Sequence, residues 1–570
     1  MKFFLTVIII LSFVQFLNSQ VIFVDTTISY QTIQGWECGS STVAVQGKNI
    51  ETDTSLSYFR NDLINIIADS IGITRMRLEV RSGSENSADN WRKYIDSSIS
   101  YDDWRAIRYA TVNDNDDPDI LNMDGFHFSE LKIKMRNSVL PLRERLKEKG
   151  ENLYINLCYV AFTPQITDGD FHHRDPREYA EFILAVFKFM DSEYGFVPDA
   201  VEVILEPDVA KFGDGKLVGE CMVAAGDKLK ENGYFPEFIA PSTTNLINAN
   251  SENYIGKFLK VPRVFEYWKE FSYHAYTGRV DSNLTKIADL AKANNVRTSM
   301  LEWWTNGNTY ETLHKDLTLG NNSAFQHYSP LCIPFGVDYT GLTKIVFNSQ
   351  DDYRIIIHDN VKYILQYFKN IRPRAVRKHA ISNNSILNPV VFKNTNGNYV
   401  AIVTSQGKSD INIVGLPRGE YELIYTTGWG NNPPTNYMVS KPNQIINEND
   451  TLKTNISDRG LIVIKQIDKI SHVDNIEVFN RILISPNPAS EYIDISGLIN
   501  PTLKHGVDER GVDEVAGEIK IYNTFGELFM SLNPALSHEE REIRIDISLL
   551  PIGIYFIQIG NYSAKFMVIK

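Results

Sequence analysis

The sequence predicts an α/β protein: a (β/α)8 TIM barrel with an all-β side domain, followed by a C-terminal β-sandwich. Three observations carry this expectation. From about residue 31 to residue 370, short apolar runs alternate with stretches of helical period, as in Phe182, Ile183, Val186, Phe187 and Met190. From about His379 the helical period stops, and short runs such as Tyr399-Val-Ala-Ile-Val403 follow one another with turn residues between them. After a polar stretch at 469–480, a second all-β pattern occupies residues 481–570. At 570 residues the chain exceeds what one core supports, so several domains are expected.

Taken in order, Lys2, an apolar run over 3–16 and a small residue before Gln20 read as a signal peptide of residues 1–19. The run is short for a membrane span, so the mature protein is expected to be soluble and exported. Residues 31–40 read as the first barrel strand and 71–80 as the second, with Arg75 and Arg77 on one face because strand side chains alternate. Residues 82–126 are polar and too long for an ordinary connection, so they read as a functional loop at the barrel top. Their acidic stretch, Asn113-Asp-Asn-Asp-Asp-Pro118, lacks the spacing of a calcium-binding EF-hand and reads as solvated loop. A helix over 129–149 ends at Gly150, and 153–160 is the third strand. Asp175-Pro-Arg-Glu178 has the N-cap, N1 and N3 residues of a helix start. The fourth strand ends at Glu206, and strands over 238–243, 271–276 and 296–302 follow. The eighth is expected at 331–339 or 344–347, and the last helix at 361–370. The expected barrel thus spans 20–378, the side domain 379–468 and a linker 469–480.

Two carboxylates carry the chemistry. In Val201-Glu-Val-Ile-Leu-Glu-Pro-Asp208, Pro207 cannot join a strand ladder, so Glu206 stands at the carboxyl end of a buried strand. In Met300-Leu-Glu-Trp-Trp304, Glu302 has the same setting, 96 residues later. Barrel enzymes place catalytic side chains at these strand ends. Two such carboxylates near aromatics suit a glycosidase, about 5–5.5 Å apart if it retains configuration and about 6.5–9.5 Å if it inverts. Arg77, inside a barrel mouth, needs a carboxylate partner, and Glu302 is the candidate. His274 at the end of the sixth strand, with Tyr276 beside it, reads as a substrate or carboxylate contact rather than the satisfied core residue a lone His more often is. Tyr159, Trp303, Trp304 and, more weakly, Trp36 are candidates to stack on a sugar ring, though barrel packing is the commoner use of Trp.

Other features point to fewer functions. The net charge of −13 disfavours nucleic acid and anionic membranes as partners. Cys38, Cys158, Cys221 and Cys332 lack the spacing of a zinc site or a disulfide scaffold and read as buried thiols, with one bridge left open. His172 and His173 read as loop surface. No metal or cofactor is expected, and the chain is expected to be a monomer.

Residues 20–468 resemble glycoside hydrolase family 30. The resemblance rests on Gln31-Thr-Ile-Gln-Gly-Trp36, Glu206-Pro-Asp208, Ser272-Tyr-His-Ala-Tyr276, Glu302-Trp303 and Tyr367-Phe-Lys-Asn-Ile-Arg-Pro-Arg374. It implies a side domain that takes in the N-terminal strand, Glu206 as acid/base, Glu302 as nucleophile of a retaining mechanism, and His274 and Tyr276 at the sugar subsite. The chain departs from the family pattern at Leu205, where Asn is usual, at Glu37 and Cys38 in the first loop, and over residues 161–164. Residues 481–570 resemble the C-terminal sorting domain of type IX secretion, through Ser485-Pro-Asn-Pro-Ala489, Tyr522-Asn-Thr-Phe-Gly526 and Leu550-Pro-Ile-Gly-Ile-Tyr555. This implies contact with that secretion machinery and a product that is secreted or attached to the cell surface. The expected function is a secreted retaining glycoside hydrolase acting on β-linked polysaccharide or oligosaccharide. Two alternatives stand beside it: a non-catalytic surface glycan-binding protein on the same barrel, and a structural adhesin.

Overall fold

The computed structural model describes residues 20–40, 55–162, 171–303, 308–327, 329–332, 341–349, 352–447 and 449–468, and in the C-terminal region 483–485, 487, 489–496, 519–523, 527–532, 542–559 and 562–569. The chain divides into two compact units at residue 470. Trp304, the expected signal peptide and the linker lie outside the described residues, as do residues 501–515, which read in the sequence as a polar insertion in the tail.

In the first unit, β1 (Val21–Thr32) precedes eight parallel strands that close into a barrel. These are β2 (Gly35–Gly39), β3 (Arg75–Arg81), β4 (Tyr154–Val160), β5 (Ala200–Glu202), β6 (Glu237–Thr243), β7 (Trp268–His274), β8 (Arg297–Glu302) and β9 (Asn322–Gln326). Strand alternation sorts the side chains. On β3, Met76, Leu78 and Val80 join the large core shared with the helices. Arg75 and Arg77 instead pair with carboxylates from other barrel strands. The helix Pro176–Tyr194 starts at Asp175, whose side chain accepts the Arg177 N–H, and ends at Gly195 in the left-handed region. It buries Phe182, Ile183, Val186 and Phe187 completely, each contributing about 1.5–3 kcal/mol of apolar burial.

The eighth barrel strand is β9, upstream of both stretches expected for it. Its polar residues hid it. Asn322 and Gln326 are fully buried; Asn322 hydrogen-bonds the Tyr273 hydroxyl at 3.0 Å and Gln326 donates to Glu37 at 2.6 Å. Leu331 and residues 344–347 belong instead to a small sheet of Ser329–Cys332, Gly341–Ser349 and Asp352–Ile357. Residues 82–126 are not a bare loop: they hold the helices Asn90–Ile95 and Tyr101–Ile107. Cys38, Cys158 and Cys221 are buried free thiols.

A nine-stranded antiparallel-rich sheet adjoins the barrel strands in sequence and includes β1. There β1 runs antiparallel to Val376–Ser382, with Ile22 opposite Ser382, and parallel to Ser409–Val414, with Ile22 opposite Ile413. Burial of Ile22 among Val391, Val403, Ile411 and Ile462 ties the start of the first unit into this sheet. The second unit has a three-stranded and a four-stranded sheet. They share one core, with Ile493, Ile495 and Ile545 from the first and Ile521, Ile557 and Phe566 from the second. No described helix is long and apolar enough to cross a membrane.

Candidate active site

Beyond β5 the chain leaves regular strand geometry but stays tied to its neighbours. The Val203 N–H donates to the Ile239 carbonyl at 3.1 Å, Leu205 to Tyr159 at 3.0 Å and Glu206 to Ser242 at 3.1 Å. Glu206 itself has φ 49° and ψ 62°. A residue with a Cβ pays about 1–2 kcal/mol to sit in this left-handed region, so the surrounding hydrogen bonds must impose it. Pro207 then opens the short helix Pro207–Ala210. Its preset φ suits that first position, and the strand cannot continue through it.

Glu302 ends β8. Its Oε2 accepts from the Arg77 guanidinium at 2.6 Å and its Oε1 from the Tyr276 hydroxyl at 2.6 Å. Arg77 also reaches Glu79 at 3.1 Å and the Leu301 carbonyl at 3.2 Å. His274 ends β7, is fully buried, and places Nδ1 2.8 Å from Glu206 Oε1. One oxygen of Glu206, one oxygen of Glu302 and one nitrogen of His274 all lie within 4.8 Å of one another. That spacing is short enough for a metal ion, but Arg77 already supplies a full positive charge to Glu302, and His274 engages Glu206.

The two carboxyl groups sit in opposite electrostatic settings. Burial raises the Glu206 pKa above the ordinary value; Glu302 and Asp208 push the same way, and His274 opposes them. Burial would raise Glu302 as well, but the Arg77 charge, His274 and the Tyr276 hydroxyl together bring it below the ordinary value. For His274, burial favours the neutral ring, yet the Glu206 hydrogen bond and the Glu302 charge raise its pKa overall. One carboxyl is thus held toward its protonated form and the other toward its ionised form across one small space, and such an asymmetry is what acid/base chemistry with two carboxylates requires.

The structure brings Arg77, Glu206, His274, Tyr276 and Glu302 together. Two expected sugar-stacking residues are not there. Trp36 is fully buried behind β2, stacked on Phe368 at 4.6 Å with its indole N–H donating to the Ile371 carbonyl at 2.6 Å. Tyr159 points outward from β4 into a nest of Tyr179, Phe182 and Phe212. Strand alternation sends it away from the barrel interior. Trp303 is only 7% exposed and lies under the Arg279 guanidinium at 4.8 Å. His173, expected at the surface, is fully buried between the Tyr159 hydroxyl at 2.6 Å and Glu85 at 2.5 Å. Glu79, which shares Arg77 with Glu302, was missed; its signal is the inward alternation of Arg75, Arg77 and Glu79. Leu205 joins Tyr109, Cys158 and Val160 in an apolar cluster beside Glu206.

Residues 483–570 match the family described as secretion system C-terminal sorting domain. Such a domain directs the chain to the type IX secretion machinery, for export and then surface attachment or release. No curated protein sequence matches the chain. Among solved structures, a GH30 endoxylanase from Clostridium papyrosolvens aligns over 79% of this chain and 100% of its own, with a TM-score of 0.54 at 14% identity. The catalytic domain of GH30 xylanase C from Talaromyces cellulolyticus covers the same shares with a TM-score of 0.55 at 12% identity. An endo-β-1,6-glucanase covers 78% of this chain and 94% of its own, with a TM-score of 0.53 at 14% identity. The chain thus has the fold of these glycoside hydrolases.

Proposed function

We propose that this chain is a retaining glycoside hydrolase, with Glu206 as acid/base and Glu302 as nucleophile, acting on a β-linked polysaccharide outside the cell. The observation that carries the reading is the Glu206–Glu302 pair itself: close approach within 4.8 Å, with pKa values pushed apart. Oxygens of the two carboxylates that approach within 4.8 Å suit the roughly 5–5.5 Å carboxyl spacing of retaining pairs better than the about 6.5–9.5 Å of inverting ones, which supports retention.

In the first step a Glu302 oxygen bonds to the anomeric carbon as the glycosidic C–O bond breaks. Glu206 gives its proton to the leaving oxygen. In the second, Glu206, now a carboxylate, takes a proton from water. The water oxygen bonds to the anomeric carbon and the ester to Glu302 breaks. Arg77 and Tyr276 hold Glu302 ionised and oriented, and His274 holds Glu206. The solved relatives named above act on xylan and on β-1,6-glucan, and both are first substrates to try.

Leu205 favours a second reading, a glycan-binding protein without catalysis, because it sets an apolar side chain where the resembled family carries a hydrogen-bonding Asn. The two readings separate on reducing-end release from xylan, β-1,6-glucan, β-1,6-galactan and aryl glycosides. Release that Glu206→Gln and Glu302→Gln both abolish supports the enzyme. Binding without release by the parent protein would sink it.

A further inference from the structure

Two residues beside the candidate site hold left-handed backbone, and neither is glycine. Glu206 has φ 49°, and Ser242, near the end of β6, has φ 51°. The Glu206 N–H donates to the Ser242 carbonyl at 3.1 Å, so the two strained positions are bonded to each other beyond β5. Such backbone persists only where the surroundings over-determine it.

Asp208, half-buried two residues after Glu206, makes the densest set of contacts there. Its Oδ1 accepts the Thr244 N–H at 3.0 Å. Its Oδ2 accepts the same N–H at 3.2 Å, the Asn248 side-chain amide at 2.6 Å and the Thr244 hydroxyl. Hydrogen bonds to a carboxylate are roughly twice as strong as neutral ones. They fix the short helix Pro207–Ala210, whose Val209 and Ala210 N–H groups bond back to the Glu206 carbonyl at 3.1 and 2.8 Å.

Thr244 passes the connection on. Its carbonyl accepts the Tyr276 N–H at 3.3 Å, and the Tyr276 hydroxyl donates to Glu302 at 2.6 Å. The Ala275 N–H donates to the Glu302 carbonyl at 3.2 Å. A run of hydrogen bonds therefore leads from the turn after Glu206, through Asp208 and Thr244, to the segment that holds Glu302.

We infer that Asp208 is a positioning residue: it pins the left-handed turn of Glu206 to the segment carrying Tyr276, and so sets the Glu206 carboxyl against Glu302. The inference rests on the hydrolase reading. Asp208 also acts through its charge. Among the groups that face Glu206, Glu302 and Asp208 favour its protonated form and His274 opposes them.

Two substitutions in the full chain separate position from charge. Asp208→Asn keeps an acceptor for the Thr244 N–H and loses the charge; Asp208→Ala loses both. Kinetics are read per folded molecule on the glycan the parent hydrolyses, across pH, beside crystal structures of parent and variants. Asp208→Ala should lower kcat about 10- to 100-fold with KM within about threefold, because a misplacement of about 1 Å costs that much. Asp208→Asn should restore kcat to within about fivefold of the parent at its own optimum. In both variants the basic limb of the pH profile should move down, since removing a negative charge lowers the Glu206 pKa. In the Asp208→Ala crystal Glu206 should leave the left-handed region. Parental kcat and pH profile in Asp208→Ala would overturn the inference, even with a lower melting temperature. So would equal kcat losses in both variants, which would leave charge alone, or an Asp208→Ala crystal with Glu206 unmoved. A parent that releases no reducing ends would sink the hydrolase reading, and the crystal structures would still decide whether Asp208 pins Glu206.

Discussion

Two arginines stand two residues apart on β3, and the barrel puts them in two layers of similar composition and different character. In the lower layer Arg75 is fully buried. It forms a two-pronged pair with Glu270 at 2.7 and 2.9 Å, a further pair with Glu37, and stacks on the Tyr154 ring at 4.8 Å. Glu37 and Glu270 have no exposed surface. In the upper layer Arg77 pairs with Glu302 and Glu79, which keep 6% and 8% exposure. Both layers are ion-pair networks, so an Arg–Glu pair does not mark a functional site. Access and asymmetry do. The upper layer adds a second carboxylate, Glu206, that no arginine among the described residues pairs with, and the Arg77 charge on Glu302, helped by His274 and the Tyr276 hydroxyl, sets the two carboxyl pKa values apart.

Substitutions can break the comparison, and the largest effect is expected in the upper layer. Glu302→Gln should lower kcat on any hydrolysed glycan by more than about 10⁴-fold with little change in melting temperature, since the proposed covalent role leaves no substitute for the carboxylate. Glu206→Gln should cost about 10²–10⁴-fold on natural glycans. It should cost far less for the first step on aryl glycosides whose leaving group needs no proton. Equal losses on both substrate types would remove Glu206 from the acid role.

The lower layer should answer in stability. Arg75→Met leaves Glu37 and Glu270 buried without their partner. It should destabilise the chain by about 3–5 kcal/mol in denaturant unfolding. Any soluble fraction should keep the ratio of activities across substrates. A selective change in that ratio would make Arg75 part of the site.

The pH profile sharpens the asymmetry. In the proposed mechanism Glu302 acts ionised, and its pKa is lowered, so activity should persist below the ordinary carboxylate range and fall only as pH drops through that lowered value. Glu206 acts protonated in that mechanism, and its pKa is raised, so activity should fall as pH rises through a value above the ordinary range. The two limbs belong to the coupled pair. In Glu206→Gln the basic limb of residual activity should vanish. The smallest effect is expected from Tyr276→Phe. Losing one hydrogen bond to a charged group is worth about 1.5–3 kcal/mol, so kcat/KM should fall about 10- to 100-fold. The acid limb should move up, because Glu302 loses one of the contacts that keeps it ionised.

Much of this was legible in the chain. The β/α alternation, the strand-ending Pro207 and the apolar approach to Glu302 located both carboxylates, because backbone chemistry and burial write a local period into the sequence. The same reasoning missed β9, whose Asn322, Ser323 and Gln326 read as loop until the barrel supplied their partners. It placed Trp36 and Tyr159 in the mouth, although one residue of strand phase decides whether a ring faces sugar or helix.

The sequence by itself determined the barrel, the all-β side region and the all-β tail, and set Glu206 and Glu302 at the ends of buried strand runs, since these depend on periodicity, turn residues and local motifs. Only the tertiary structure decided that Arg75 meets Glu270 and Glu37 while Arg77 shares Glu302 with Tyr276. The same holds for His274 meeting Glu206. Each pairing joins residues tens to hundreds of positions apart, and electrostatic environment depends on distance in space and on buried volume, which no local pattern encodes.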